Sequence, residues 1–143
     1  MISQAQHDSL RAKYSPDGSP LRRQQERMLE ILCEIDRICK KHGIRYWLSS
    51  GTLIGAVRHG GFIPWDDDLD IEMMREDYDR LMDVMPGELP STMALQTHET
   101  DPTYFFYYAK GSWRQRSMQC TQTARKHSNE YRVYVRLKNN ACL

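Results

Sequence analysis

Apolar residues recur at helical spacing in two stretches of the chain. The first stripe comprises Met28, Ile31, Leu32, Ile35, Ile38 and Cys39. It follows Leu21, and Gly43 is suited to the C′ position at which a helix ends. The second stripe comprises Tyr78, Leu81, Met82 and Met85, and Pro86 with Gly87 predicts its end. We therefore predict two amphipathic helices, each with one buried face.

A strand, a tight turn and a short helix are predicted between these two helices. The strand covers residues 44–48, which are aromatic and β-rich, and the turn covers residues 49–51. The short helix covers residues 52–58. Backbone N–H groups and the positive end of the helix dipole converge at such a turn, so this arrangement is suited to binding a phosphate. A plain strand-to-helix connection, with Gly55 permitting close packing, explains the same pattern.

The two ends of the chain are less regular. Residues 1–20 are polar, and residues 15–20 are dense in turn formers, so we predict a flexible or loosely docked arm. Residues 104–110 have the aromatic-rich pattern of a strand. His98 and Asp101 precede it in a predicted loop, where they are interpreted as turn residues, with a minor substrate contact as the alternative.

Composition places the chain among single soluble domains. It has 143 residues, of which 40% are hydrophobic, and a mean hydropathy of −0.71. No run approaches the roughly 20 apolar residues of a membrane helix, and no signal peptide precedes the domain, so we expect no transmembrane segment and a cytoplasmic location. The four cysteines form no CxxC pair, which argues against a zinc site.

The net charge of +1 hides an uneven distribution. Residues 111–143 contain seven basic residues and one acidic residue, Glu130, while the other 18 acidic residues come earlier. A basic segment raises the hypothesis of nucleic-acid contact. This segment lacks a recognisable nucleic-acid-binding motif and regular aromatic interleaving, so we interpret it as a solvated tail and expect no nucleic-acid partner.

Four carboxylates crowd into residues 66–70. If Leu69 and Ile71 point into the core from a strand, the two-residue period places Asp66, Asp68 and Asp70 on the opposite face. A divalent cation such as Mg²⁺ or Mn²⁺ would relieve their repulsion, because hard oxygen ligands suit these metals. The alternative is a solvated acidic loop. We predict Asp68 and Asp70 as principal metal ligands with Asp66 beside them.

Residues 51–70, which read GTLIGAVRHGGFIPWDDDLD, closely resemble the signature of the LicD family. The resemblance implies an α+β, nucleotidyltransferase-like fold with a small mixed β-sheet flanked by helices. It also implies transfer of a phospho-group, such as phosphocholine, from a CDP-activated donor such as CDP-choline to a hydroxyl of a cell-surface glycan, lipopolysaccharide or teichoic-acid precursor, with CMP leaving.

The resemblance also assigns roles to individual residues. It implies that Asp68 and Asp70 bind the catalytic metal, and that Ser50, Gly51 and Thr52 bind the donor phosphates. Two further residues, Arg58 and His59, lie between the turn and the acidic cluster. Phosphate contact and interaction with the helix dipole explain this pair equally well. Trp65 is interpreted as a packing anchor, with stacking on a base or choline as the alternative.

The resemblance covers residues 14–110 and is lost afterwards. A third acidic ligand is expected on a further strand, yet residues 111–143 contain no Asp and only Glu130. We therefore divide the chain into an N-terminal arm (1–20), a LicD-type domain (21–110) and a divergent basic tail (111–143), which is either native or the product of a truncated or shifted reading frame. Two alternatives remain open: a nucleotidyltransferase that releases pyrophosphate, and an inactive nucleotide-binding fragment with an incomplete fold.

Overall fold

The computed structural model describes residues 2–97, 102, 109–113, 121–124 and 132–137. Its four helices are α1 (Gln4–Tyr14), α2 (Pro20–His42), α3 (Ser50–His59) and α4 (Arg75–Glu88). Its six strands are β1 (Trp47–Leu48), β2 (Leu69–Met74), β3 (Met93–Gln96), β4 (Lys110–Trp113), β5 (Thr121–Ala124) and β6 (Arg132–Leu137). The predicted α+β class is confirmed.

Strand β2 lies inside a four-stranded sheet of order β1-β2-β6-β5, and β3 pairs with β4 in a second sheet. All the described pairings are antiparallel, so the expectation of a mixed sheet was wrong. The connection between β5 and β6 spans only residues 125–131, which is shorter than the dozen or more residues of a parallel crossover. In the β2–β6 pair Ile71 lies opposite Val135.

Helix α2 has the bounds expected from its sequence signals. The Ser19 hydroxyl accepts a hydrogen bond from the Arg22 N–H at 3.1 Å, and Pro20 occupies the first turn. At the other end Gly43 adopts a left-handed conformation with φ of 62°, and its N–H donates to the Cys39 carbonyl. These caps confirm the predicted start near residue 21 and the end at Gly43.

The core lies between α2, α4 and one face of β2. It contains the predicted stripe of α2 together with Leu69, Ile71, Met73, Tyr78, Leu81 and Met85. Each of these side chains except Leu32, which is partly buried, is at most 5% exposed. Burial of apolar area of this kind is the main favourable contribution to folding. This packing places the apolar face of β2 against α2 and α4.

Helix α4 continues through Pro86 to Glu88, two residues beyond its predicted end. The Glu88 carboxylate lies 2.6 Å from Lys41 Nζ, 2.6 Å from His42 Nε2 and 3.5 Å from Arg37 Nη1. Hydrogen bonds lower the pKa of Glu88 to about 2, and the bond from Lys41 contributes more than the bond from His42. These contacts with the basic end of α2 favour the extra residues in the last turn.

The N-terminal segment contains a helix that the sequence analysis did not predict. Ser3 and Gln6 form a reciprocal capping box at the start of α1. No residue of α1 is fully buried, so the helix has no apolar stripe that could reveal it. It nevertheless contacts the rest of the chain, since the ring centroid of Tyr14 lies 5.2 Å from that of Trp65.

The basic segment after Lys110 supplies strands to both sheets. Strand β6 pairs with all six residues of β2, and β4 pairs with β3. The strand predicted at residues 104–110 falls mostly on residues 103–108, which lie outside the described residues, and the observed strand β4 (Lys110–Trp113) shares only Lys110 with it. His98, Asp101 and Glu130 lie outside them too. Among the described helices none has the length and apolar character needed to cross a membrane.

Candidate active site

Strand β2 separates apolar from acidic side chains by its two-residue period. Leu69 and Ile71 lie in the core, as predicted. Asp70 is 3% exposed and lies on the other face, where the same period places Asp68, which is half-buried at the start of the strand. Acidic side chains therefore lie on one face of the strand and apolar side chains on the other.

Asp70 is fixed against the first turn of α3 by two backbone hydrogen bonds. Its N–H donates to Thr52 Oγ1 at 2.9 Å, and its carbonyl accepts from the Ser49 N–H at 3.0 Å. The structure therefore brings residues 49–51, which were predicted as a turn but of which residues 50 and 51 begin α3, together with the predicted acidic strand. Because a hydroxyl that accepts one hydrogen bond keeps its own proton, Thr52 can still donate to another oxygen.

The start of α3 has two unusual features. Ser49 occupies the N-cap position, yet its side chain makes no capping hydrogen bond, because its hydroxyl donates to Glu72 instead. Ser50 has a φ of 49°, which makes it the one residue other than glycine in the left-handed region among the described residues. A helix start without a side-chain cap offers N–H groups to an external acceptor.

Asp66 lies against this helix start. A Cβ built on Gly51 would stand 2.7 Å from Asp66 Oδ2, so only glycine admits the carboxylate at this distance. Burial, followed by the charges of Asp68 and Asp67, raises the pKa of Asp66, and backbone hydrogen bonds offset part of this effect. A donor phosphate can approach here favourably only if a cation offsets the carboxylate charge.

The acidic loop is also held from the side of α2. Gln25 is fully buried, and its Nε2 donates to the Ile63 carbonyl at 3.3 Å and to the Asp66 carbonyl at 3.0 Å. Gln24 Nε2 donates to the Asp67 carbonyl at 2.7 Å. The sequence analysis missed both glutamines; a Gln inside the apolar stripe of α2 was the available signal for Gln25.

Glu72 is a second residue that the sequence analysis missed. It is 6% exposed and continues the two-residue period of Asp68 and Asp70 along β2. Its carboxylate accepts hydrogen bonds from the Ser49 hydroxyl and, at 3.1 Å, from Trp47 Nε1. These bonds tie β1 and the start of α3 to β2, so Glu72 positions the first turn of α3.

Arg58 and His59 lie at the opposite end of α3 from the predicted phosphate turn. The helix rises about 1.5 Å per residue, which separates Ser50 and His59 by about 13 Å along the axis. The His59 ring instead lies 5.6 Å from the ring of His7 and 6.2 Å from that of Trp65. The structure therefore does not bring this pair to the start of α3.

The described residues contain no group of three or more His, Cys, Asp or Glu side chains arranged to hold a metal ion. Asp68 and Asp70 remain as a pair of hard oxygen ligands at the start of β2, with Asp66 on the preceding loop. Such a set fits Mg²⁺, which commonly takes one or two carboxylates and completes its shell with substrate phosphates and water. Burial first, and then the charges of Asp68 and Asp67, raise the pKa of Asp66, and a cation would relieve the effect of these charges.

Comparison with known proteins identifies the family. The family model for the LicD/FKTN/FKRP nucleotidyltransferase domain matches residues 43–140. The chain belongs to this family. The match confirms the resemblance seen in the signature at residues 51–70. It also extends thirty residues past the point at which the resemblance was expected to end, because the strands of the basic segment belong to the matched domain.

Individual relatives match shorter stretches. The lipopolysaccharide cholinephosphotransferase LicD of Haemophilus influenzae is 47% identical over 79 residues, which cover 55% of this chain and 30% of LicD. Human ribitol 5-phosphate transferase FKRP is 57% identical over 35 residues, or 24% of this chain and 7% of FKRP. Mannosyltransferase regulator 4 of Saccharomyces cerevisiae is 39% identical over 49 residues, or 34% of this chain and 4% of that protein. The chain thus spans less than a third of each relative, and no solved structure gives a significant match.

Proposed function

We propose that the chain is a metal-dependent phosphotransferase domain that transfers a phospho-group, such as phosphocholine or ribitol phosphate, from a CDP-activated donor to a glycan hydroxyl. The observation that carries this proposal is the bond from the Asp70 N–H to Thr52 Oγ1 at 2.9 Å. It joins a strand that presents carboxylates to a helix start that presents N–H and O–H donors. The relatives LicD and FKRP are named for cholinephosphate and ribitol phosphate transfer.

The residues of the chain would act mainly by positioning and charge. The first turn of α3, with Ser50, Gly51 and Thr52, would orient the donor phosphates. Asp68 and Asp70, with Asp66 beside them, would hold Mg²⁺ or Mn²⁺. When bound, this metal supplies positive charge to the phosphate oxygens as the reaction proceeds. Glu72 would keep the helix start in place.

The reaction exchanges one P–O bond for another. The acceptor hydroxyl oxygen attacks the phosphorus of the transferred group, and the hydroxyl proton is released to solvent. The bond between that phosphorus and the oxygen bridging to CMP breaks, so CMP leaves with the electron pair. No covalent bond to the protein is needed, which agrees with a site made of carboxylates and phosphate-binding donors.

The proposal is tested by measuring CMP release from CDP-choline and from CDP-ribitol, with Mg²⁺ or with EDTA. We expect Mg²⁺-dependent release that Asp70→Asn lowers by roughly a hundredfold or more, because the metal loses a ligand. The exposed Asp83 on α4 provides a control of equal charge change, Asp83→Asn, which should retain activity. CMP release that is equal in Asp70→Asn and in the unsubstituted chain would contradict the proposal.

Two alternatives are distinguished by the product. A nucleotidyltransferase would instead release pyrophosphate from CTP and a phosphorylated substrate, and the acidic strand with the phosphate-binding helix start suits that reaction equally well. A non-catalytic nucleotide-binding domain would bind CDP-choline and release neither product. Two observations favour the non-catalytic alternative. The described residues contain no group of three acidic side chains arranged to hold a metal ion, and one relative is named as a mannosyltransferase regulator.

A further inference from the structure

A cavity of about 150 Å³ lies between α1, the first turns of α2 and the loop that follows α3. Basic side chains from all three regions line it: Arg11 and His7 of α1, Arg22 of α2 and His59 at the end of α3. The volume corresponds to roughly five water molecules in the liquid. It is therefore large enough for a small polyatomic ion and some of its water.

Polar atoms without hydrogen bonds converge on this cavity. Six buried side-chain polar atoms in the described part of the chain have no hydrogen-bond partner there, and five of them belong to residues that line this cavity. They are His7 Nδ1, Arg11 Nε, Arg22 Nε, Gln25 Oε1 and His59 Nδ1. Buried polar groups left unpaired are rare and costly in folded proteins. Their concentration in residues around one cavity therefore indicates a place for a polar ligand.

The hydrogen bonds of Gln25 determine which chemical groups the ligand must carry. Its Nε2 already donates to the carbonyls of Ile63 and Asp66, so its unpaired Oε1 is an acceptor. The same cavity wall carries two guanidinium groups, which are permanent cations and only donate. The matching ligand is thus an anion that accepts from nitrogen donors and also carries a hydroxyl of its own.

Each guanidinium group at the cavity has a carboxylate neighbour and keeps an Nε–H without a hydrogen bond in the described part of the chain. Asp17 contacts Arg11 through Nη2, and Glu26 Oε1 lies 3.1 Å from Arg22 Nε without the geometry of a hydrogen bond. His7 Nδ1 lies 3.6 Å from the exposed Asp8.

We propose that the cavity binds an oxyanion of the phosphate type that carries a hydroxyl group, either hydrogen phosphate or the phosphate of a polyol phosphate.

This site is distinct from the candidate active site. The Asp66 carboxylate lies against Gly51 at the start of α3, whereas its backbone carbonyl accepts from Gln25 on the side of α2. The loop therefore separates the acidic face from the cavity. It follows that the double variant Asp68→Asn and Asp70→Asn should bind phosphate without metal as well as the unsubstituted chain does.

The test is a calorimetric titration of the full chain with inorganic phosphate, sulfate and glycerol 3-phosphate, without metal. Sulfate has the same shape as phosphate and no O–H at neutral pH, so it cannot donate to Gln25 Oε1. We expect saturable phosphate binding, with sulfate roughly tenfold weaker because one buried hydrogen bond is left unmade. Tighter binding of glycerol 3-phosphate than of inorganic phosphate would identify a polyol phosphate as the ligand; the reverse would identify the free ion.

Matched variants locate the binding. Arg11→Gln combined with Arg22→Gln should weaken phosphate binding by roughly tenfold or more, since charge-assisted hydrogen bonds are lost. Lys13→Gln combined with Arg23→Gln removes one exposed cation from each of the same two helices and should leave binding unchanged. Equal weakening by both pairs, or no saturable phosphate binding by the unsubstituted chain, would overturn the proposal.

A second measurement needs no variant. Phosphate should shift the NMR signals of the imidazole rings of His7 and His59, which line the cavity, and should leave those of His42 unchanged, because His42 pairs with Glu88 at the far end of α2. Shifts of His42 equal to those of His7 and His59 would show diffuse ion binding and would refute the site even if the arginine variants fail to fold.

Discussion

Replacing Gly55 with alanine should destabilise the fold although alanine is the better helix former. A Cβ at this position would stand 2.5 Å from the Gly61 carbonyl oxygen and 2.9 Å from the Ile63 nitrogen. Both are backbone atoms, so relief requires the loop itself to retreat by about 0.9 Å to reach an ordinary contact of 3.4 Å. Overpacking of this kind costs roughly 1–3 kcal/mol.

The intrinsic helix preference of alanine offsets part of that cost, by about 1 kcal/mol. Because the obstructing atoms are backbone and cannot rotate away, we take the upper part of that range, about 2–3 kcal/mol, and so expect Gly55→Ala to lower the free energy of unfolding by about 1–2 kcal/mol in urea denaturation followed by circular dichroism. Because the Asp66 N–H donates to the Ile63 carbonyl at 2.9 Å, the same movement should displace the acidic loop. Weaker Mg²⁺ binding by Gly55→Ala should accompany the lower stability.

Gly51→Ala is the matched control on the same helix. Its Cβ would meet Asp66 Oδ2 at 2.7 Å, but this atom ends a side chain that can rotate away. The free energy of unfolding should therefore stay within about 0.5 kcal/mol of the unsubstituted value, while donor binding falls because the carboxylate has moved. Two results would refute this reasoning. One is a Gly55→Ala chain as stable as the unsubstituted chain, and the other is a Gly51→Ala chain less stable than the Gly55→Ala chain.

Three further predictions concern separate parts of the chain. Thr52→Val should lower the free energy of unfolding by roughly 1–3 kcal/mol, because the Asp70 N–H loses its acceptor, and Thr52→Ser should restore it. Hydrogen bonds to the basic end of α2 lower the pKa of Glu88 to about 2, so Glu88→Gln should lower the free energy of unfolding at pH 7. The difference in free energy of unfolding between this variant and the unsubstituted chain should vanish as the pH falls from 4.5 towards 2. Burial raises the pKa of Cys39 to about 11, so mass spectrometry after iodoacetamide treatment should find the exposed Cys33 alkylated well before Cys39.

Local sequence signals predicted the elements that hold the candidate site. The stripe and caps of α2 placed it within one residue of its observed bounds. The alternation around Asp68 and Asp70 predicted which face of β2 is apolar. These features depend on neighbours in sequence, so propensity, capping and period suffice to read them.

The features that sequence analysis missed depend on distant contacts or lack an apolar pattern. Helix α1 buries no residue completely, so no stripe marks it. Strand β6 (RVYVRL) has the alternating, β-rich pattern of a strand, which the sequence analysis overlooked, while its pairing with β2, about sixty residues earlier, is not readable from local signals. For Arg58 and His59 the sequence left a phosphate contact and a helix C-terminal role equally open, because the distance of this pair from the start of α3 depends on the length of the helix.

The most direct test of the central claim is a calorimetric Mg²⁺ titration of the full chain in the presence of CDP-choline. The unsubstituted chain is compared with Asp68→Asn combined with Asp70→Asn, and with Asp79→Asn combined with Asp83→Asn on the exposed surface of α4. We predict saturable Mg²⁺ binding by the unsubstituted chain and by the Asp79 and Asp83 double variant, and no such binding by the Asp68 and Asp70 double variant. Binding that persists without Asp68 and Asp70, or is absent from a folded unsubstituted chain, would contradict the account.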